Sequence, residues 1–137
     1  MIALLMAIAS SSRMEAQQTQ LRAEVVSRIE DLLAVFRKGD SRAVAQIFRD
    51  DASIIGPGVR VTGRAAIDSY WVARPRPTSW DIETLDVGGS RDEPWHYARS
   101  IRVNRSGARS DTTITTFILI WKRGSDGKLR IYLDLYT

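Results

Sequence analysis

The chain has 137 residues, 44% hydrophobic and 26% charged, the size and balance of one folded domain. It carries no cysteine and a single histidine, His96, which excludes disulfides, thiolate metal or iron–sulfur sites, a cysteine nucleophile and a two-histidine metal centre. The excess of 20 basic over 16 acidic residues gives a formal charge of +4, spread over many segments without a basic run or a nucleic-acid-binding motif, so it reads as a solvated surface with no nucleic acid as partner.

Residues 1–16 read as an apolar N-terminal leader or extension, and residues 17–137 as a single domain. Residues 2–9 (IALLMAIA) form an unbroken apolar stretch that is too short to span a bilayer. With Ser10, Ser11 and Ser12 behind it, the stretch resembles the hydrophobic region of a secretory signal. No Lys or Arg precedes it and no small-x-small cleavage site follows. Export, a cytoplasmic protein starting at Met14, and an N-terminal helix packed on a partner therefore stay open as readings.

From Glu15 to Lys38 the residues Leu21, Val25, Val26, Ile29, Leu32, Leu33 and Phe36 recur every three or four positions, one face of a long amphipathic helix. Gly39 is placed to end it, and Asp40 or Ser41 to cap a second helix with Val44, Ile47 and Phe48 on its inner face. Residues 53–55 read as a short strand before the turn Gly56-Pro57-Gly58. A third helix carries Ile67, Tyr70 and Trp71, and Pro75 and Pro77 stop it. Strands follow over residues 80–87, 96–103, 112–123 and 129–136, with Asp126-Gly127 as a hairpin signal. Helices followed by a meander make an α+β class, with helices on one face of a sheet.

The order of Gly39-Asp40, Phe48 with Asp50-Asp51-Ala52, Gly63 with Ala66-Ile67 and Tyr70-Trp71, then Trp121-Lys122-Arg123, Asp126-Gly127-Lys128 and Asp134-x-Tyr136 resembles the SnoaL-like branch of the nuclear transport factor 2-like superfamily. The resemblance covers residues 21–137. It implies three N-terminal helices on a strongly curved antiparallel sheet, cone-like with an internal pocket, often dimeric through the outer sheet face. The family includes isomerases, cyclases, dehydratases, epoxide hydrolases and many proteins without known activity, so the fold leaves the function undecided.

Residue by residue, the resemblance removes several chemistries. The carboxylate base of ketosteroid isomerases aligns with Gly56, their tyrosine with Leu32 and their acidic oxyanion partner with Leu119. The Arg-x-Asp element of limonene-epoxide hydrolases aligns with Arg99-Ser100-Ile101, which keeps the arginine and loses the aspartate, while their second aspartate aligns with Asp134. A His–Asp dehydratase pair would need His96, and strand alternation puts His96 opposite Arg99. With Arg99 inside, His96 faces outward.

The remaining polar candidates are Asp134, as general base or hydrogen-bond acceptor, and Arg99, as its charge partner or a carboxylate clamp. Their bland alternative is a buried ion pair that fixes register. Alternation puts Tyr132, Asp134 and Tyr136 on one side of the last strand, with Thr115, Phe117, Leu119 and Trp121 beside them. Tyr70, Trp71 and Trp80 would close the mouth. The expected ligand is a small hydrophobic molecule held by these aromatic residues, with no cofactor and no metal. An isomerase, lyase or hydrolase using Asp134 is the first reading. A non-catalytic binding or dimerisation module of the same fold is the alternative, and a homodimer is expected in either case.

Overall fold

The structure is a computed structural model that describes residues 2–137, with side-chain surroundings for residues 10–137. Helix α1 runs over Ile2–Arg37 and buries Leu21, Val25, Ile29, Leu32 and Leu33 along one stripe. It starts well before Glu15, because no proline or glycine interrupts the segment upstream. The side chains of residues 2–9, on which the leader reading turns, lie outside the described residues. Gly39 adopts a positive φ of 80°, which glycine takes without a Cβ penalty, and the chain turns there into α2 (Ser41–Gln46). The Asp40 carboxylate caps α2 by accepting the Ala43 N–H at 2.9 Å.

Two boundaries differ from the sequence reading. Helix α2 stops at Gln46, and the fully buried Phe48 opens strand β1 (Phe48–Gly56) instead of completing a helical face. The turn at Pro57-Gly58 then leads into β2 (Val59–Thr62), which was not expected as a strand; β1 and β2 pair as a hairpin. Helix α3 (Arg64–Ala73) follows. Then come β3 (Ser79–Gly89), β4 (Pro94–Ser106), β5 (Arg109–Arg123) and β6 (Leu129–Tyr136).

The six strands form one sheet in the order β2-β1-β6-β5-β4-β3. The expected wholly antiparallel sheet is corrected at one joint, where β1 lies parallel to β6. A chain-distant pairing of this kind leaves no mark in local periodicity, unlike the β3–β6 meander, whose strands pair with their sequence neighbours. The sheet is open, with β2 and β3 at its edges. The helices are also unequal: α1 is 36 residues long, α2 six and α3 ten, and α3 enters only after the β1–β2 hairpin.

Helix α1 packs on β3, and α3 packs on β1 and β2. Between helices and sheet lies a core built on Val25, Ile29, Ile67, Phe48, Ile54, Trp121 and Ile131, each 3% exposed or less. Each large side chain removed from water there contributes about 1.5–3 kcal/mol. Helix α1 is also tied down at its polar edge. Arg123 forks onto Glu24 at 2.6 and 2.9 Å, and Arg28 Nε donates to the Leu129 carbonyl at 3.0 Å.

Candidate functional site

Strand register decides which side chains face the helices. On β4 the inward set is His96, Ala98, Ser100 and Arg102, and its β5 partners are Leu119, Phe117, Thr115 and Thr113. On β6, Asp134 stands across from Leu119 on β5 and from Ile54 on β1, while Tyr136 stands across from Phe117. A narrow cavity of about 40 Å³ lies between this face and the helices. Ile29 and Leu32 of α1 and Tyr70 and Trp71 of α3 line it from above. Phe48, Phe117, Leu119, Ile131 and Tyr136 line it from the sheet.

Asp134 is the one acid on the lining. Its neighbours across both strand joints, Ile54 and Leu119, are almost wholly buried and apolar. Among the described residues no hydrogen bond reaches its carboxyl group, and the residue is partly buried on the cavity lining. Burial therefore dominates and pushes its pKa up from the ordinary carboxylate value to about 7, against the opposing pull of the positive charges on Arg74 and Arg102. At neutral pH such a group is present in both its acid and its base form.

The mouth is aromatic and cationic. Trp71 and Trp80 stack with centroids 5.8 Å apart, and Tyr70 meets Trp71 edge-on at 5.7 Å. The Trp80 indole N–H donates to Ser100 Oγ at 2.8 Å, which fixes the ring against β4. Arg74 lies over the Tyr70 ring at 4.6 Å and Arg102 over the Trp80 ring at 5.5 Å. Burial lowers the pKa of both guanidinium groups, and Arg102 lowers that of Arg74 further by repulsion. The position that aligns with the isomerase base, Gly56, serves another purpose here. A Cβ at that residue would collide with the Tyr136 ring, so the glycine is the seat of Tyr136.

Of the residues expected at the site, Asp134, Tyr70, Trp71, Trp80, Phe117 and Tyr136 line the cavity. Three others do not. Arg99 is on the opposite face of β4, half-exposed, with its Nε donating to Glu83 at 3.0 Å; the expected Arg99–Asp134 pair is corrected. Tyr132 also faces away. The β5–β6 register slips between Ile120 and Trp121, so Tyr132 is an extra residue opposite that joint. The slip turns Ile131 inward, and Tyr132 lies under the Lys122 ammonium at 3.8 Å. Trp121 points inward but is wholly buried in the core, outside the cavity lining.

His96 reverses its expected orientation together with Arg99. It is buried on the inner face, with Nε2 3.0 Å from the Thr84 hydroxyl and Nδ1 unpartnered. Burial, with a further contribution from Arg22, lowers its pKa to about 4, so it is neutral at pH 7. It does not border the cavity. Sequence reasoning missed Arg74, Ser100 and Arg102. The last two share the parity of Ala98, the smallest side chain of the strand, and that small residue between bulky Tyr97 and Arg99 was the available signal. Among the described residues no group of three His, Asp or Glu side chains is arranged to hold a metal ion. None of the helices described is long and apolar enough to cross a membrane.

A family model for the SnoaL-like domain matches residues 29–132. No curated protein matches the sequence. Among solved structures, the chain is similar to a ketosteroid isomerase-like protein from Erwinia carotovora atroseptica, at 15% identity and a TM-score of 0.70, covering 83% of this chain and 92% of that one. It is similar to a candidate scytalone dehydratase from Novosphingobium aromaticivorans, at 13% identity and a TM-score of 0.76, covering 89% and 86%. A third similar structure, from Catenulispora acidiphila in complex with S-DNPA, has 17% identity and a TM-score of 0.73, covering 87% and 93%. At these identities the likeness establishes the fold.

Proposed function

The chain belongs to the SnoaL-like domain family, and from that premise we propose that it binds a hydrophobic small molecule in the cavity and moves a proton on it with Asp134. The carrying observation is the chemistry of that carboxyl: the one acid of an apolar lining, without a hydrogen bond, and with a pKa raised to about 7 by burial. A group matched to the working pH can take a proton from a carbon or a water and return it to a leaving oxygen. Isomerisation, elimination and hydrolysis all need such a step. Arg102, not Arg99, is the cation on the lining that would stabilise negative charge developing on the substrate, with the Tyr70, Tyr136 and Ser100 hydroxyls within the same cavity. Solved structures of this fold described as ketosteroid isomerase-like, as a candidate scytalone dehydratase and as a complex with S-DNPA support a small-molecule role.

A thermal-shift screen of hydrophobic compounds tests the binding half, because a ligand held only by the folded state raises the melting temperature. Turnover of the hit by the native chain and by Asp134→Asn tests the other half. A hit that binds without turnover by either protein supports the non-catalytic binding module instead. Absence of any hit contradicts the ligand-site reading and favours the dimerisation module, with the aromatic cavity packed shut.

The outer face of the sheet favours a second copy as partner. Tyr97, Ile118 and Leu135 stand side by side across β4, β5 and β6, each 39–43% exposed, with Ile114 at 59% on the same strand face as Ile118. An apolar patch running across three strands is what a self-complementary interface covers. Sedimentation of the native chain as a dimer and of Ile118→Glu as a monomer is the expected pair of results; a native monomer contradicts the reading.

A further inference from the structure

We propose that the mouth of the cavity selects an organic anion, a flat hydrophobic compound whose carboxylate is gripped by Arg74 and Arg102 while its body extends along the cavity toward Asp134. The inference rests on the reading of the cavity as a ligand site and names the class of compound it takes.

Among the partly buried arginines, Arg64 holds Asp50 and Asp68, Arg123 holds Glu24 and Asp92, and Arg130 holds Asp126. Arg74 and Arg102 are half-buried, yet among the described residues neither has a carboxylate within ion-pair distance or a hydrogen bond from its guanidinium. The rings of Tyr70 and Trp80 offset part of the lost hydration through their faces, but a ring face leaves the in-plane N–H groups without acceptors.

Two guanidinium groups, close enough for one to repel the other, are set against the single carboxyl of Asp134. The surplus is positive in either protonation state of Asp134. A bound monoanion cancels that surplus and relieves the repulsion.

Arg102 borders both this cavity and a smaller one of about 20 Å³ that Arg74 also lines, and the two cavities share Trp71 and Trp80. The buried Trp71 indole N–H has no partner. Donors thus outnumber acceptors at the junction, and a carboxylate brings two acceptor oxygens with several lone pairs in a plane suited to a guanidinium fork.

The test is isothermal titration of the full chain with 2-naphthoate and its neutral isostere 2-naphthamide. A preference for the acid of about ten-fold or more is expected from a charge-assisted fork. Arg74→Gln and Arg102→Gln should each remove most of that preference, read within each variant as the ratio of 2-naphthoate to 2-naphthamide affinity. If Arg102→Gln fails to fold, Arg102→Lys is read instead, with a loss of about three-fold expected from a point charge replacing the fork. Equal binding of acid and amide overturns the inference and leaves the ligand-site reading standing. A preference that survives in the double glutamine variant also overturns it, because the acid is then held elsewhere. Failure of both compounds to bind overturns the inference and the ligand-site reading together.

Discussion

Asp126, in the turn before β6, and Asp134, near the far end of that strand, have surroundings that drive them in opposite directions. At the turn end, Asp126 accepts from Arg130 at 3.0 and 2.7 Å and from the Lys128 backbone N–H at 3.2 Å. Those bonds hold its carboxyl far below the usual range, even though it is open to solvent. At the cavity end, Asp134 has apolar neighbours on both flanking strands, no hydrogen bond and two arginines that act only through space. Its carboxyl is pushed up instead. The contrast separates a carboxylate that organises a turn from one left free to exchange its proton, and the difference is made by neighbours, not by residue type.

Replacing both residues by asparagine should break the symmetry most widely. Asp134→Asn is expected to lower turnover by about 10²–10⁴-fold, the usual contribution of a positioned acid or base. Asp126→Asn should leave turnover unchanged. Comparable losses in the two variants would remove the distinction.

The same contrast appears in stability against pH. A carboxyl whose folded pKa of about 7 exceeds its unfolded value binds more protons in the folded state between about pH 4 and 7. Its contribution to stability therefore falls as pH rises through that window. Asp134→Asn should gain on the native protein toward pH 8, by an amount on the order of a few kcal/mol, and lose the advantage toward pH 4. Arg74 and Arg102 are the charges that act on it and remain cationic throughout. His96 slopes the other way. Its folded pKa of about 4 lies below the unfolded value, so stability falls as pH drops from about 6.5 to 4. Urea unfolding of the two variants Asp134→Asn and His96→Gln across pH 4–8 separates the contributions.

A smaller effect is expected at Gly56. Alanine there must displace the Tyr136 ring, at a cost of about 1–3 kcal/mol, and should weaken ligand binding without moving the Asp126 turn. Smallest of all is Arg99→Gln. Its ion pair with Glu83 is about half-exposed, so stability should change by less than about 1 kcal/mol and turnover not at all.

Much of this arrangement is legible in the sequence, and the gaps have physical causes. The stripe from Leu21 to Leu33, the stop at Gly39 and the β5–β6 hairpin follow from local periodicity and turn chemistry, and they appear as α1, its end and the closing strands. Asp134 and five of the aromatic residues expected beside it border the cavity. Tyr132 was put on the wrong face because a bulge adds one residue to the count, and alternation cannot register an insertion. Arg99 and His96 exchange faces because Arg99 is set inside only by the likeness of Arg99-Ser100-Ile101 to an Arg-x-Asp element, whereas on β4 the small Ala98 marks the buried face between outward Tyr97 and Arg99. The parallel β1–β6 joint, which sets Ile54 beside Asp134, depends on residues far apart in the chain and has no local signature.

The proposed chemistry turns on the proton affinity of one carboxyl. A ¹³C NMR titration of the aspartate side-chain carboxyl groups, with Asp134→Asn to assign the resonance, measures it directly. A midpoint near 7 for Asp134 is expected. A midpoint near 4, the value of an ordinary solvated aspartate, would contradict the claim that the cavity holds a carboxyl poised for proton transfer.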